Sequence, residues 1–423
     1  MIPQKKSNTY SSTRKIIMKW KSLPKDLIQE IINVAQGVGV NSIAIVGGVV
    51  RDELLNNSQN EIVIRSKDLD LVVEGSASDL ADALYNKLGA KRVTNLQIYN
   101  DYNTAEMKID GFPVDLATAR IEQYPQPGQN PNVTPSSLKE DLSRRDFTIN
   151  AMAIDLSDMN LIDPHEGQHS LLKKEIKFLH NQSVKEDPTR IIRAARYSSR
   201  FLFNLSPESL AQIRSTLKAW PWNCSKSKSL KSIPAALSTR LRLELEILLK
   251  QEDWVIAIEK LQDWGALLLL DQSLQDDKTW KRRLKWASKF KINLLTALIS
   301  SSQDSPNIAA RLQLPIQQQN LILQTIEIKK FLLGISLKTE YLDWPPSKWV
   351  EEIEQANWNI QAIEIAICNA YPMWRKLLKW LHKWRLVKSP ISAKELIEKG
   401  WEPGPALGQE LRKLRARALD EYK

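Results

Sequence analysis

Hydrophobic and polar positions follow two different rhythms along the chain, and the change falls near residue 180. Before it, short apolar runs alternate with turn residues; beyond it, apolar residues recur at three- and four-residue spacing. Residues 23–37 form an amphipathic helix stopped by Gly37 and Gly39. Ser42–Val46 reads as an apolar strand running into Gly47-Gly48, with Arg51-Asp52 near the start of the next helix. A second strand carries Asp68-Leu69-Asp70 ahead of Leu71-Val72-Val73. Residues 76–88 predict a helix with Ser76 or Ser78 as cap and Gly89 as stop. Residues 104–109 and 112–118 predict a hairpin around a tight turn at Gly111. The stretch 123–137, rich in Pro, Gln, Asn and Ser, reads as a loop, and 160–163 and 176–179 as short strands. His165 and His169 lie in a stretch read as loop because of Pro164 and Gly167, which argues against a metal pair. Residues 189–201, 239–249, 255–270 and 321–333 are helical, with breaks near 221–234, 301–306 and 341–346.

The expected fold is therefore α+β: a small mixed-sheet head followed by an all-helical neck, body and tail. The boundaries are 1–21 for a disordered tail, 22–180 for the head, 181–250 for the neck, 251–340 for the body and 341–423 for the tail.

Composition refines this picture. The chain of 423 residues is 43% hydrophobic, ample for a core. No run approaches the roughly 18 apolar residues of a membrane span, and residues 1–21 are basic with no apolar signal core. Cys224 and Cys368 are far apart and in no metal spacing, which suits a reducing cytoplasm. Net charge is +11, and its distribution is informative. Residues 1–145 hold 18 Lys/Arg against 17 Asp/Glu, the remainder 42 against 32, so the basic surface lies beyond the head. Such a surface suits a polyanionic partner. Thirteen of fourteen tryptophans lie beyond residue 200, and in amphipathic helices they are read as packing rather than as base-stacking platforms.

The first chemistry lies at Asp68 and Asp70. Along a strand both point to one side, about 7 Å apart, and repel by roughly 2 kcal/mol at an effective dielectric near 20. Asp-x-Asp also occurs on exposed strand ends. Hard oxygen donors at this spacing nevertheless fit Mg²⁺, which takes one or two carboxylates together with substrate phosphates. Gly47 and Gly48 permit close backbone approach, and the helix N-terminus that follows offers N–H groups to a triphosphate. Together these features read as a nucleotidyl-transfer site.

Gly47-Gly48-x-x-Arg51-Asp52 with Asp68-x-Asp70 resembles the head of the class II tRNA nucleotidyltransferase/poly(A) polymerase family. Further segments carry the resemblance. Asp115, Ala117 and Arg120 are similar to the family's Asp-x-Ala-x-x-Arg, which implies Asp115 as a third catalytic carboxylate. The run Arg144-Arg145-Asp146-Phe147-Thr148-Ile149-Asn150-Ala151-Met152-Ala153 matches a family stretch almost letter for letter and implies that Arg145 contacts the incoming nucleotide. Glu186-Asp187-Pro188-Thr189-Arg190, followed by Arg193 and Arg196, resembles the nucleotide-selecting motif. Structurally, Asp187 and Pro188 are also a complete helix start. Cytosine and adenine each present an amino donor beside a ring-nitrogen acceptor, whereas uracil and guanine present a carbonyl beside an N–H. A carboxylate from Asp187 and a guanidinium from Arg190 would accept the first two and reject the others, at roughly 1–3 kcal/mol per bidentate contact. Arg193 and Arg196 would hold phosphates or orient the pair.

The resemblance implies CTP and ATP as substrates, Mg²⁺ as cofactor, tRNA as partner, and a cytoplasmic monomer or weak dimer. Nucleotide-binding residues are then Gly47, Gly48, Arg51, Arg145, Asp187, Arg190, Arg193 and Arg196, and metal ligands Asp68 and Asp70. Near the end, Gly400-x-x-Pro403-Gly404-Pro405-x-Leu407-Gly408 is similar to a family segment that implies contact with tRNA; close helix packing would explain its glycines equally well. Two positions depart from the pattern: Ser170 stands where the family carries Asp, and Thr239-Arg240 where Glu-Arg is expected. A poly(A) polymerase is the nearest alternative, disfavoured because residues 96–104 lack a basic Gly-Arg-Arg-Phe-like stretch. A non-catalytic RNA-binding helical protein is the alternative from another class.

Overall fold

The computed structural model describes residues 25–40, 42–58, 68–222, 233–251, 253–337 and 343–421. Two compact units divide at Trp222/Asn223. The expected disordered tail at 1–21 and Cys224 lie outside the described residues.

The first unit is built on a seven-stranded mixed sheet in the order β3-β4-β5-β2-β1-β8-β9. These strands are β1 (Ser42–Val46), β2 (Leu69–Glu74), β3 (Val93–Tyr99), β4 (Thr104–Ile109), β5 (Phe112–Thr118), β8 (Ala153–Asp155) and β9 (Leu161–Ile162). The β2–β5 pair is parallel; the other ladders are antiparallel. The hairpin of β4 and β5 closes through Asp110 and Gly111, both at positive φ, as a two-residue turn matched to strand twist requires.

Three helices before and between these strands, α1 (Lys25–Gly37), α2 (Gly48–Ser58) and α3 (Ala77–Leu88), follow the apolar pattern. The Ser76 hydroxyl accepts from the Asp79 N–H and caps α3. A short α4 (Leu138–Ser143) packs Leu138 and Leu142 on Ala44, Val46 and Val72. Alternation puts Asp70 on the same sheet face as Val72, so the acids share the side covered by α4.

Some expectations fail. The stretch 123–137 is not all loop: β6 (Arg120–Gln123) pairs with β7 (Asn132–Pro135) as a two-stranded ribbon. β6 is half-buried without a buried face and β7 is largely exposed, so neither needs apolar alternation and the sequence carries no sign of the ribbon. β3 and β8 also escape the pattern, β3 because its residues beyond Val93 are largely exposed, β8 because it is three residues long. His169 lies in α5 (Gly167–Leu172), not a loop, because the Asp163 carboxylate accepts from the N–H groups of Gly167 and Gln168. Gly167 is required by close approach: a Cβ there would stand 2.5 Å from the Thr148 carbonyl oxygen. Ser170, in the place of the family's acid, accepts instead from the Thr148 hydroxyl at 2.8 Å.

A short helix α6 (Ser183–Glu186), the basic helix α7 (Thr189–Phe201) and α8 (Pro207–Ala219) complete this unit, with β10 (Glu175–Ile176) and β11 (Asn204–Leu205) forming a small parallel pair. α7 has the bounds the sequence predicts.

The second unit is helical throughout its described residues. Its core joins Ile328, Leu332 and Ile363 to Trp349, Trp380 and Trp384, which bears out packing as the role of those tryptophans. The helix expected over 255–270 ends at Trp264, because Gly265 adopts a left-handed cap and a 3₁₀ turn follows. Near the end, a capping box at Ser392 and Glu395 starts one helix and Pro405 the next. Nothing among the described residues lies within 4 Å of a Cβ placed on Gly404, so close packing does not explain that glycine. No described helix is long and apolar enough to cross a membrane.

Candidate active site

Parallel register sets Asp70 of β2 directly beside Asp115 of β5, and antiparallel register sets Glu106 of β4 against Asp115 on its other side. Carboxylates thus step across three neighbouring strands on one face, and Asp68 precedes β2 by one residue, exposed. Burial, the charge of Asp68 and that of Asp115 push the Asp70 carboxyl up to about 6, against the opposing pull of Arg145 and Arg51. Asp115 is raised as well, by burial first and then by Glu106 and Asp68. Glu106 has no place in the sequence reading; its alternation with Ala105 and Met107 in the hairpin is the signal that could have placed it on this face.

The glycine turn faces these acids. Gly47 sits at φ +72, a backbone region that costs a side-chain-bearing residue energy. A Cβ at Gly47 would lie 3.3 Å from Arg145 Nη1 and 3.7 Å from Asp70 Oδ2. Gly47, Asp70 and Arg145 therefore converge at the N-terminus of α2, where Gly48 begins the helix.

Arg145 is oriented from behind. Its Nε and Nη2 donate to Asp141 Oδ2 at 3.3 and 2.9 Å. Asp141, on α4, is wholly buried, and its other oxygen accepts from Arg144 Nε and Nη2 at 3.0 and 2.6 Å. Burial alone would raise this carboxyl; the two guanidiniums outweigh it and hold the group below the usual carboxylate range. Sequence reasoning missed Asp141, although its spacing of three and four residues from the two arginines was a readable signal.

The other predicted residues fall in different settings. Arg51 is 3% exposed: its Nε donates to Asp52 Oδ1 at 2.8 Å, its Nη1 to Asn150 Oδ1 at 2.6 Å, and its guanidinium lies over the rings of Tyr197 and Phe201. Arg193 donates to Asp146 Oδ2 at 2.8 Å through Nε, and Arg196 lies over the Tyr197 ring. Asp187 is buried and caps α7: its Oδ1 accepts from the Thr189 N–H at 3.0 Å and hydroxyl at 2.6 Å. Arg190, buried too, donates to the carbonyls of Ser183 at 3.3 Å and Arg144 at 3.0 Å.

Arg190 lines a cavity of about 220 Å³ with Glu122, Tyr124, His180 and Glu186. Burial, then the charges of Arg190 and His165, push the His180 imidazole down to about 4, so its 3.4 Å contact with Glu186 joins a neutral ring to a carboxylate near neutral pH. The Tyr124 hydroxyl donates to Glu122 Oε2 at 3.1 Å, and the charges of both Arg190 and Asp187 reach this phenol. Tyr124 and Glu122 carry no sequence signal for this role, since they lie in the stretch from β6 onward that reads as featureless.

Comparison with known proteins agrees with this geometry. A model of the poly A polymerase head domain matches residues 43–177. The A-adding tRNA nucleotidyltransferase of Aquifex aeolicus is 31% identical over 412 residues, covering 89% of this chain and 45% of that protein. The CC-adding tRNA nucleotidyltransferase of Deinococcus radiodurans is 36% identical over 231 residues, covering 54% of this chain and 55% of that protein. The chain thus spans about half the length of these two relatives. A solved structure of a CCA-adding enzyme in an apo form superposes with a TM-score of 0.68 at 26% identity, over 93% of this chain and 91% of that one. Residues 43–177, a mixed sheet on which Gly47, Asp70 and Arg145 come together, thus match the poly A polymerase head domain, and the chain as a whole is similar to tRNA nucleotidyltransferases.

Proposed function

We propose that the protein is a template-independent nucleotidyltransferase that adds C, A or both to the 3′ ends of tRNA in the cytoplasm, using CTP and ATP. The reading rests above all on one observation: Asp70 beside Asp115 on neighbouring parallel strands, with Arg145 reaching Gly47 at the same point. The 3′-hydroxyl oxygen of the RNA attacks the α-phosphorus of the nucleotide, the bond to the β-phosphate oxygen breaks, and pyrophosphate leaves.

Asp68 and Asp70, with Asp115 alongside, would hold Mg²⁺. Among the described residues no group of three or more acids, histidines or cysteines is placed to hold a metal ion by itself. An open pair of crowded carboxylates suits an ion that completes its shell with phosphate and water. When bound, Mg²⁺ supplies Lewis-acid activation and charge neutralisation. Arg145 and the N–H groups opening α2 at Gly48 receive the triphosphate. Asp187 and Arg190 select the base, the first rigidified by its cap on α7, the second by two backbone carbonyls. Arg193, Arg196 and Arg51 support this arrangement from α7 and α2. The basic excess beyond residue 145 suits the tRNA backbone.

One assay tests the whole reading. Transcripts of tRNA ending at the discriminator base, at C or at CC are incubated with Mg²⁺ and labelled CTP or ATP. Incorporation on at least one is expected, and none on all three overturns the proposal. Addition of CC alone, A alone or the full CCA distinguishes its forms, and long A tails would identify the poly(A) polymerase alternative.

A further inference from the structure

Asp141 stands between two parts of the site that the chain keeps apart. On one side it accepts both Nε and Nη2 of Arg145, whose third nitrogen reaches Gly47 next to Asp70. On the other it accepts Nε and Nη2 of Arg144, whose own carbonyl receives the Arg190 guanidinium at 3.0 Å. The side chain is wholly shielded from solvent, so these bonds are made in a medium where charge-assisted contacts are strong. Its helix is fixed as well. Ser137 and Glu140 form a capping box, and the Leu138 N–H donates to Glu74 Oε1 at 2.6 Å, at the end of the strand that carries Asp70.

We infer that Asp141 is a positioning residue that couples base selection to triphosphate binding. It aims Arg145 at the phosphate end of the nucleotide and, through the peptide at Arg144, holds Arg190 at the base end. A single buried carboxylate thus sets the distance between the two ends of one ligand. The inference rests on the nucleotidyl-transfer reading, since it assigns Arg145 and Arg190 to opposite ends of the nucleotide.

Asp141→Asn is the informative change. It keeps the shape, removes the charge shared by the two guanidiniums, and turns one acceptor into a donor facing an arginine. KM for both CTP and ATP should rise roughly ten- to a hundredfold, the scale of losing one or two charge-assisted hydrogen bonds. Preference for CTP and ATP over UTP and GTP should fall in the same variant. A purely structural Asp141 would lower the active fraction, and so kcat, with KM and base preference unchanged; that result overturns the inference. Should Asp141→Asn fail to fold, Asp141→Glu carries the test, since it retains the charge and displaces it by one methylene; it too must raise KM and relax base preference. Equilibrium binding of CTP, ATP, UTP and GTP to wild type and variant keeps the two proposals separate. Wild type that binds nucleotides but transfers none removes the transferase reading alone. Equal affinities and equal preferences in wild type and variant remove the role of Asp141 alone.

Discussion

Asp70 and Asp115 are directly paired residues on neighbouring parallel strands, and each raises the cost of ionising that face of the sheet. A divalent cation relieves that cost. Mg²⁺ should therefore raise the Tm of the wild-type protein over its value in EDTA, because a ligand bound by the folded state alone stabilises it by mass action. Asp70→Asn should abolish both nucleotide transfer and most of the Mg²⁺-dependent rise, with tRNA affinity retained. A Tm that responds to Mg²⁺ equally in both proteins would place the ion elsewhere.

Asp187 serves α7 as a cap whatever else it does, so its variants separate two roles. Asp187→Ala should lose about 1 kcal/mol of stability with the cap. Asp187→Asn keeps an acceptor for the Thr189 N–H and should fold with a Tm close to wild type, yet lose discrimination against UTP and GTP by about tenfold or more, the scale of a bidentate base contact. Intact C and A preference in Asp187→Asn would refute selection by this side chain.

Arg51 is held by Asp52 and Asn150 and covered by two aromatic rings. Arg51→Met leaves the Asp52 carboxylate buried without its guanidinium and should destabilise the protein by about 3–5 kcal/mol in urea unfolding. A variant of unaltered stability with a raised nucleotide KM would mean that this arginine acts on ligand rather than on the fold.

His180 gives a pH signature. Its folded imidazole titrates near 4, below the ordinary 6.5, so the unfolded chain takes up this proton first as the pH falls. The stability it contributes is complete above about 6.5 and is lost between 6.5 and 4. Urea midpoints measured across that window should decline less steeply in His180→Gln than in wild type. Parallel pH profiles would show that the imidazole protonates as readily in the folded protein as in the unfolded one.

Several elements that carry the candidate site are legible in the sequence. β1, the β4–β5 hairpin and α7 appear with the bounds the sequence predicts, because each has a clear apolar period and an unambiguous stop. Gly47, Asp70 and Arg145 lie together in the structure. What stayed hidden has physical reasons. β6 is half-buried and β7 largely exposed, and neither carries an apolar alternation, so Glu122 and Tyr124 had nothing to place them. Asp141 resembles any acid near two arginines until its burial is known. Arg51 reads as a ligand-facing cation in the motif and only the packing of Tyr197 and Phe201 shows it enclosed.

The parallel join of β2 to β5 also bears on how the chain folds. Asp70 and Asp115 meet only after everything from Leu71 to Val114, including α3, β3 and the hairpin, has been traversed and brought back. Such a crossover closes late because its loop entropy is spent before its contacts form. The acids therefore stay apart while the hairpin and α3 assemble locally, and their mutual repulsion enters at the docking step. Cation concentration should accordingly set the rate at which this unit opens more than the rate at which it first collapses.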